Sequence, residues 1–500
     1  MSRVSDLSRN DFLRLAGGVI AIGSLPVASS VAAEKGRATG RTLIRGADVL
    51  TMDPQLGELK VSDVLIDQGR IVKVGKGLDS SGAQVLNAPG MILMPGLIDG
   101  HRHTWQSILM GTLVRTSKRS GTYFEFINEK CGVVMRPDDV YLGNYLGGLL
   151  ALNNGVTSLV DHSHICHTAE KGDAAAKGLK DSGIGGFFCY QVTFSPTYGA
   201  GSKIKATEAS NEFHGAPDEA HFKNAVVVRD KYFASSADPL QFGVGLSNPE
   251  FAPRTVESIR QEMSRAQTLG AKLITQHVYG TRVPGLAESY RVIVDYQSAG
   301  LLCKGYHVSH GTSLNEDEIK MLRDAGAGLC ALPLGEQGLS PLVRAKQGGL
   351  PAGIGVDVTV QNDPNFFEVI RASYASMART PEGRKVTQTM ESADVLDLAT
   401  LGGARAIGMD AQVGSITPGK RADLVLLRTD RLDFASAGTL ADRVVNFARP
   451  QDIDTVWVAG KALKKNGAMV GVDWSKLRTR MLEAQAYVVE KAGQIEFTRE

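Results

Sequence analysis

Across the middle of this chain, short apolar runs take turns with helical stretches. VTSLVDHSH, IGGFFCYQV, LQFGVGLS, AKLITQHV, LLCKGYHVSH, AGLCALP and AGIGVDV read as buried strands, and most are followed by an amphipathic segment such as TVESIRQEMSRAQTLG or LNEDEIKMLRDAG. Apolar runs of this length, bounded by turn signals and alternating with helices, suit parallel strands covered on both faces. With the strand that precedes His101 there are eight such units over roughly 300 residues, which is what a (β/α)8 barrel of the α/β class needs. Barrel sites lie at the C-terminal ends of the strands. Those ends are where the polar residues matter most.

The flanks are built differently. RTLIRGADVLTMD, SDVLIDQGRIVKVGKG and AQVLNAPGMILMPG come before the barrel, and GSITPGKRADLVLLRTD, IDTVWVAGKALKKNG and AMVGVD after it; all are short β-branched runs broken by Gly, Asp and Asn. They predict a small composite β-sandwich from residues 41–95 and 410–470, a barrel over residues 96–409, and a C-terminal helix, WSKLRTRMLEAQAYVVEKAG, within residues 471–500. Residues 1–33 place Arg3, Arg9 and Arg14 ahead of the small-residue apolar run LAGGVIAIGSLPVASSVAA. That is the pattern of an export signal, with cleavage expected after Ala32 or Ala33. SRNDFLRLAGG resembles a twin-arginine signal in which Asn10 replaces the second arginine; Sec export or an uncleaved amphipathic anchor are the alternatives. The expected location is the periplasm or the exterior. No other run is long and apolar enough to span a bilayer.

Hydrophobic residues make up 43% of the chain, ample for a large core. Lys plus Arg number 55 against 53 Asp plus Glu, without a basic stripe interleaved with aromatics, so neither nucleic acid nor a stable membrane partner is expected. Cys131, Cys166, Cys189, Cys303 and Cys330 are an odd number without close spacing, and read as mostly buried free thiols.

In GLIDGHRHTWQ, His101 and His103 are two residues apart, so on a strand both imidazoles face one way and Arg102 the other. Later strand ends add His277 in ITQHVYG, His307 and His310 in YHVSH, and Asp357 in GVDV. Imidazoles and one carboxylate delivered to one face of a barrel are the ligand set a catalytic divalent ion prefers. DHSHICHTAE contributes His162, His164 and His167, read as pocket lining or hydrogen-bonding groups, with a second ion as the alternative. Trp105, Gln106, Tyr279 and Asn362 lie near strand ends as substrate contacts or as packing. The insertion from Phe194 to Gly215, rich in Gly, Ser and Thr, is either a lid or an ornament.

MPGLIDGHRHTWQ, the ordered strand-end His and Asp residues, and LATLGGARAIGMDAQVGSITPGKRADLVLL together resemble the amidohydrolase superfamily, in its branch of cytosine deaminases, S-adenosylhomocysteine deaminases and triazine hydrolases, over residues 41–470. The resemblance implies that His101, His103, His277 and Asp357 hold one divalent ion, usually zinc or iron in this branch. His307 would hydrogen-bond the attacking water or the substrate, and Asp357 would take the proton from that water. No lysine accompanies GVGLSNP, so a carboxylated-lysine bridge and a second metal are not expected. The donor set alone does not choose among zinc, iron, cobalt and manganese.

Deaminases of this branch resemble one another in a His-x-x-Glu motif at strand five, whose glutamate delivers a proton to the leaving group. Here HVYG puts Gly280 in that place. Glu336 in LPLGEQG, or His310, is left to replace it, unless the bond cleaved needs no strong acid. The implied function is a metal-dependent hydrolase acting on a small cyclic or amide-like substrate at a non-peptide carbon–nitrogen bond. A metallo-lyase or dehydratase on the same scaffold, and a non-catalytic metal- or ligand-binding protein, are the alternatives. Relatives of this architecture commonly pair as homodimers.

Overall fold

The computed structural model describes residues 40–113, 123–192, 195–215, 219–248, 250, 255–280, 291–336, 340–434 and 438–498. The export-signal segment and Phe194 lie outside the described residues. Eight parallel strands form one sheet: β1 (Leu97–Arg102), β2 (Val156–Ser163), β3 (Gly185–Gln191), β4 (Leu240–Gly245), β5 (Ile274–Val278), β6 (Tyr306–His310), β7 (Gly328–Ala331) and β8 (Ala352–Ile354). They are hydrogen-bonded in chain order. The segment after β8 returns to β1 through a parallel bridge between Asp357 and Arg102, in which Asp357 N donates to His101 O and His103 N donates to Asp357 O. The ring is closed there, and the fold is a (β/α)8 barrel. Every residue of β1 to β4, β6 and β7 is buried, which is why these runs show no period-two alternation.

The apolar run ahead of the histidine pair divides in two. Ile92–Pro95 pairs with Thr42–Leu50 on one side and Leu424–Leu427 on the other, and β1 begins only at Leu97. Gly96 is the joint between the two sheets, and a Cβ there would overlap the Thr157 side chain. The sheet built from the two chain ends has nine strands. Its order is Ala468–Met469, Lys461–Lys465, Ile453–Val458, Leu424–Leu427, Ile92–Pro95, Thr42–Leu50, Glu58–Asp67 and Arg70–Gly75, with Gln84–Asn87 beside Thr42–Leu50. Ile44, Val64, Ile66, Leu93, Leu424, Leu426 and Trp457 form a core of its own.

A helix over Trp474–Ala492 starts at Asp473, whose carboxylate accepts from Lys476 N. It is fastened above the barrel by Gln485, which donates to Ile108 O and Met110 O. Beyond it Glu496–Thr498 pairs in parallel with Lys203–Lys205 of the insertion after β3, just ahead of a helix over Ala206–His214. Four cysteines are buried, Cys303 is half-buried, and all five are free. Among the described residues no helix is long and apolar enough to cross a membrane.

Candidate metal centre and active site

Three imidazoles converge at the C-terminal mouth of the barrel. His101 closes toward His103, with their Nε2 atoms 3.2 Å apart, and β5 brings His277 Nε2 to 3.3 Å from His103 Nε2. Asp357 Oδ1 stands 3.6 Å from the Nε2 of both His101 and His103. Burial pushes His103 down to about 3 and, helped by repulsion from neighbouring imidazoles, holds His101 and His277 well below the usual histidine range. All three rings are therefore uncharged at neutral pH.

The hydrogen bonds behind the rings fix where their lone pairs point. His103 Nδ1 lies 2.7 Å from the His162 carbonyl, which only accepts, so the hydrogen sits on Nδ1 and the Nε2 lone pair faces the other rings. His101 Nδ1 is tied to Ser309 Oγ at 2.8 Å. A tetrahedral ion bound at 2.0–2.1 Å spaces its ligand atoms about 3.3 Å apart, which is the spacing found here. The donor set thus fits a divalent ion, with the outer partners that metal-ligating imidazoles normally use.

Two residues reach this centre on left-handed backbone: His310 at φ 76° and Asp357 at φ 68°. On β6, His307 and Ser309 share the inner face, where His307 Nδ1 meets Thr275 Oγ1 at 3.0 Å and Ser309 supports His101. A period of two would turn His310 away, and the positive φ turns it in. Such a backbone in a non-glycine residue costs about 1–3 kcal/mol and persists where the surroundings over-determine it. His310 forms, with His101 and Asp357, a second set of donors close enough to share one ion.

His307, expected beside the reacting groups, does not line the cavity. It lies a layer deeper because it is the second residue of β6, while His310 is the last. Burial pushes His307 down to about 3, and its Nε2 has no hydrogen-bond partner among the described residues.

Above the centre is a cavity of about 200 Å³, floored by His103, His277, His310 and Asp357. Its walls carry Tyr123, Phe124, His164, Gln191, Phe213, Ser247, Asn248, Tyr279 and Gln361. Among the described lining residues there is no Lys or Arg, and Asp357 is the carboxylate. Phe213 comes from the insertion helix, so the insertion covers the site. Trp105 and Gln106, read as substrate contacts or as packing, stand behind the wall. The 3-10 turn over Thr104–Leu109 buries both, with the indole N–H donating to His164 Nδ1 at 3.0 Å and the Gln106 amide to the Tyr123 hydroxyl at 2.7 Å. Gly143, on the helix over Pro137–Asn153, lets that helix press directly on the backbone of Trp105. Asn362 clamps the end of β8 by donating to Val356 O at 2.8 Å.

Residues 92–463 match the Amidohydrolase family. The chain belongs to that family. It is 26% identical over 478 residues to a 5-methylthioadenosine/S-adenosylhomocysteine deaminase of Symbiobacterium thermophilum, covering 90% of this chain and 100% of that one. It is 23% identical over 465 residues to a 5'-deoxyadenosine deaminase of Methanosarcina acetivorans, covering 90% and 99%. Among solved structures it is similar to an adenosine deaminase from Xanthomonas campestris with bound zinc, at a TM-score of 0.75 and 21% identity over 89% of this chain and 98% of that one. An atrazine chlorohydrolase from Arthrobacter aurescens complexed with zinc gives a TM-score of 0.75 at 20% identity, over 89% and 100%. At such identities the structural likeness speaks for the fold.

Within this family fold, the end of β5 has no room for a side chain at position 280. Gly280 adopts φ 82°, and a Cβ there would stand 2.6 Å from Ser313 C and from Leu314 N. Its N–H and that of Tyr279 donate to the buried Glu250 carboxylate at 3.0 and 2.7 Å. Across the mouth, Glu336 is buried on the turn after β7, with Oε1 3.4 Å from His310 Nδ1 and neither oxygen hydrogen-bonded among the described residues. His310 Nε2 lies 3.3 Å from the Tyr279 hydroxyl, and the two rings stack at 4.4 Å.

Several wall residues escaped the sequence reading. Gln191 ends β3 and could have been found by the strand-end rule that found the histidines. Tyr123 and Phe124 open a π-helical stretch over Tyr123–Gly132 and carry no such signal. Glu250 is a lone glutamate in a loop.

Proposed function

We propose that this member of the amidohydrolase family is a metal-dependent hydrolase of a carbon–nitrogen bond in a compact, uncharged ring compound, with zinc held by His101, His103, His277 and Asp357. The observation that carries the proposal is the 3.2–3.3 Å spacing of the neutral imidazole nitrogens at the floor of the cavity. When bound, the ion acidifies water to a pKa of about 7 and polarises the bond to be broken. Asp357 faces the cavity from a strained backbone and takes the proton of the attacking water. His310, held between Glu336 and Tyr279, returns a proton to the leaving nitrogen, the role for which Gly280 offers no group. Glu336 does not line the cavity, so it acts by positioning and polarising His310. Phe124, Phe213 and Tyr123 exclude water and stack on a flat ring. With no Lys or Arg among the described lining residues, the walls above the ion offer no cationic side chain to an anionic group on the substrate. Relatives named as deaminases of adenosine derivatives favour a nitrogen heterocycle. On the strength of the signal pattern in residues 1–33, the same proposal places the enzyme outside the cytoplasm.

The test is turnover of amino-substituted heterocycles and small amides in 18O-labelled water by the metal-loaded protein. Release of ammonia or amine with one solvent oxygen in the product is expected, and a product formed without label would overturn the proposal in favour of elimination. In the same assay Glu336→Gln is expected to lower kcat by about 10²-fold, at the lower end of general acid–base effects, with KM little changed. The pH profile of kcat should shift as well. An unchanged profile would remove Glu336 from the relay.

A further inference from the structure

The insertion after β3 adds no strand to the barrel. Among the described residues its strand, Lys203–Lys205, pairs with Glu496–Thr498 in a separate two-stranded sheet, with Phe497 opposite Ile204. Glu496 N donates to Ser202 O at 2.9 Å and Gly201 N to Gln494 O at 3.1 Å. Tyr198, Ala209 and Ile495 are buried together, with Ile204 and Phe497 packed on them, in a small core of their own that meets the barrel core at Val134. Ala209 lies on the helix over Ala206–His214, whose Phe213 enters the cavity wall. The last strand also reaches the facing wall. Lys130 Nζ stands 4.2 Å from the centre of the Phe497 ring, and Tyr198 donates to Glu129 O at 2.8 Å. Glu129 and Lys130 belong to the π-helical stretch that opens with Tyr123 and Phe124, and the Phe124 and Phe213 rings are 6.5 Å apart. One short strand thus holds the aromatic sides of the cavity together.

The segments on either side of this small core are firmly anchored. At the root of the insertion Ser195 Oγ donates to His167 O at 3.0 Å, and the helix over Trp474–Ala492 is held by Gln485 and by the Arg136 guanidinium, 3.8 Å from the Tyr487 ring centre. The strand pair between them has three residues a side, and its Lys203–Glu496 ion pair is more than half exposed at both ends, so it adds little. A satellite core closed by so short a pairing opens far more often than the barrel beneath it. We propose that Glu496–Thr498 is a strap: paired with Lys203–Lys205 it holds the insertion shut as a lid over the cavity, and its release admits the ligand. Ile495 and Phe497 are positioning residues, because neither is among the residues that line the cavity. The inference rests on the hydrolase reading only in taking this cavity as the place where a ligand binds.

The experiment compares the wild-type full chain with Phe497→Asp and with the double variant Ile204→Cys/Phe497→Cys, the latter both oxidised, to cross-link the paired strands, and reduced. Two rates are measured: trypsin cleavage after Lys203 and Lys205, located by fragment mass, and removal of zinc from the zinc-loaded protein by dipicolinate. A protease takes an extended, unpaired segment, so cleavage at these lysines reports how often the strap is open. Phe497→Asp is expected to be cut at least about tenfold faster than wild type and to surrender zinc faster. The oxidised double variant should resist cleavage and keep its zinc at least about tenfold longer than the same protein reduced. Equal cleavage of wild type and Phe497→Asp, equal cleavage of the oxidised and reduced forms, or zinc release that does not follow cleavage would overturn the strap. The oxidised and reduced forms are one folded protein, so that comparison stands even if Phe497→Asp fails to fold. A protein that takes up no zinc would sink the hydrolase reading, whereas cleavage at the two lysines would still decide whether the strap holds the insertion.

Discussion

His103→Ala is expected to give a folded barrel that retains no stoichiometric ion and has lost about three decades of activity or more, since metal-based stabilisation of a transition state amounts to several kcal/mol. The fold should survive because the His103 contribution to barrel closure is its backbone N–H, donated to Asp357 O, which alanine keeps. The ligand set should not survive. The His103 ring lies near-parallel to both His164, at 4.1 Å, and His277, at 5.2 Å, and its Nε2 is the atom that His101 and His277 both approach. Three readouts separate loss of the ion from loss of the fold: elemental analysis of the purified protein, activity, and Tm with and without added zinc. Wild type should gain Tm with zinc, because a ligand that binds only the native state stabilises it, and the variant should not. A variant that kept one equivalent of metal together with its activity would place the centre elsewhere.

That prediction leans on residues visible in the sequence, and the reason is geometric. A strand buried on both faces writes itself as an unbroken apolar run, and in a parallel barrel the residue that ends such a run faces the site. His101, His103, His277 and Asp357 could all be found that way. The same rule does not resolve layers within the barrel. His307 and His310 stand three residues apart on one short strand, and the left-handed backbone that turns His310 into the site is a property of packing around β6, not of its residue types. For Trp105 and Gln106 the place in the chain leaves substrate contact and packing equally open, and the turn over Thr104–Leu109 buries them under the helix over Pro137–Asn153. The run MILMP and the segment LIDGHR are nearly continuous in hydropathy. The strand pairings on either side of Gly96, and the close approach of Thr157 to it, show that two sheets meet there. Phe213 and Tyr123 reach the cavity from outside the barrel strands, where no periodicity announces them.

Gly280→Glu, which would write the strand-five glutamate back into the sequence, is expected to unfold the mouth of the barrel rather than improve catalysis. At φ 82° an L residue is strained, and its Cβ would meet backbone atoms of residues 313 and 314 at 2.6 Å, which no rotamer change can relieve. The surrounding backbone is also pinned. Gly280 N and Tyr279 N are held by Glu250, Gly311 N donates to Val278 O at 2.7 Å, and Ser313 N donates to Tyr279 O at 2.6 Å. Strain and overlap together should cost about 3 kcal/mol or more, among the larger effects a single substitution produces. Gly280→Ala should cost nearly as much, because the clash begins at Cβ. Calorimetric unfolding of the two variants distinguishes the causes: equal losses mean the backbone forbids a side chain, while an alanine variant as stable as wild type would mean that position 280 is open and that only the carboxylate is unwelcome. Equal losses would also bear on mechanism. If no side chain can stand at position 280, the proton for the leaving group has to come from another strand end. Within reach of Asp357 and Tyr279, the His310–Glu336 pair is the arrangement the barrel offers.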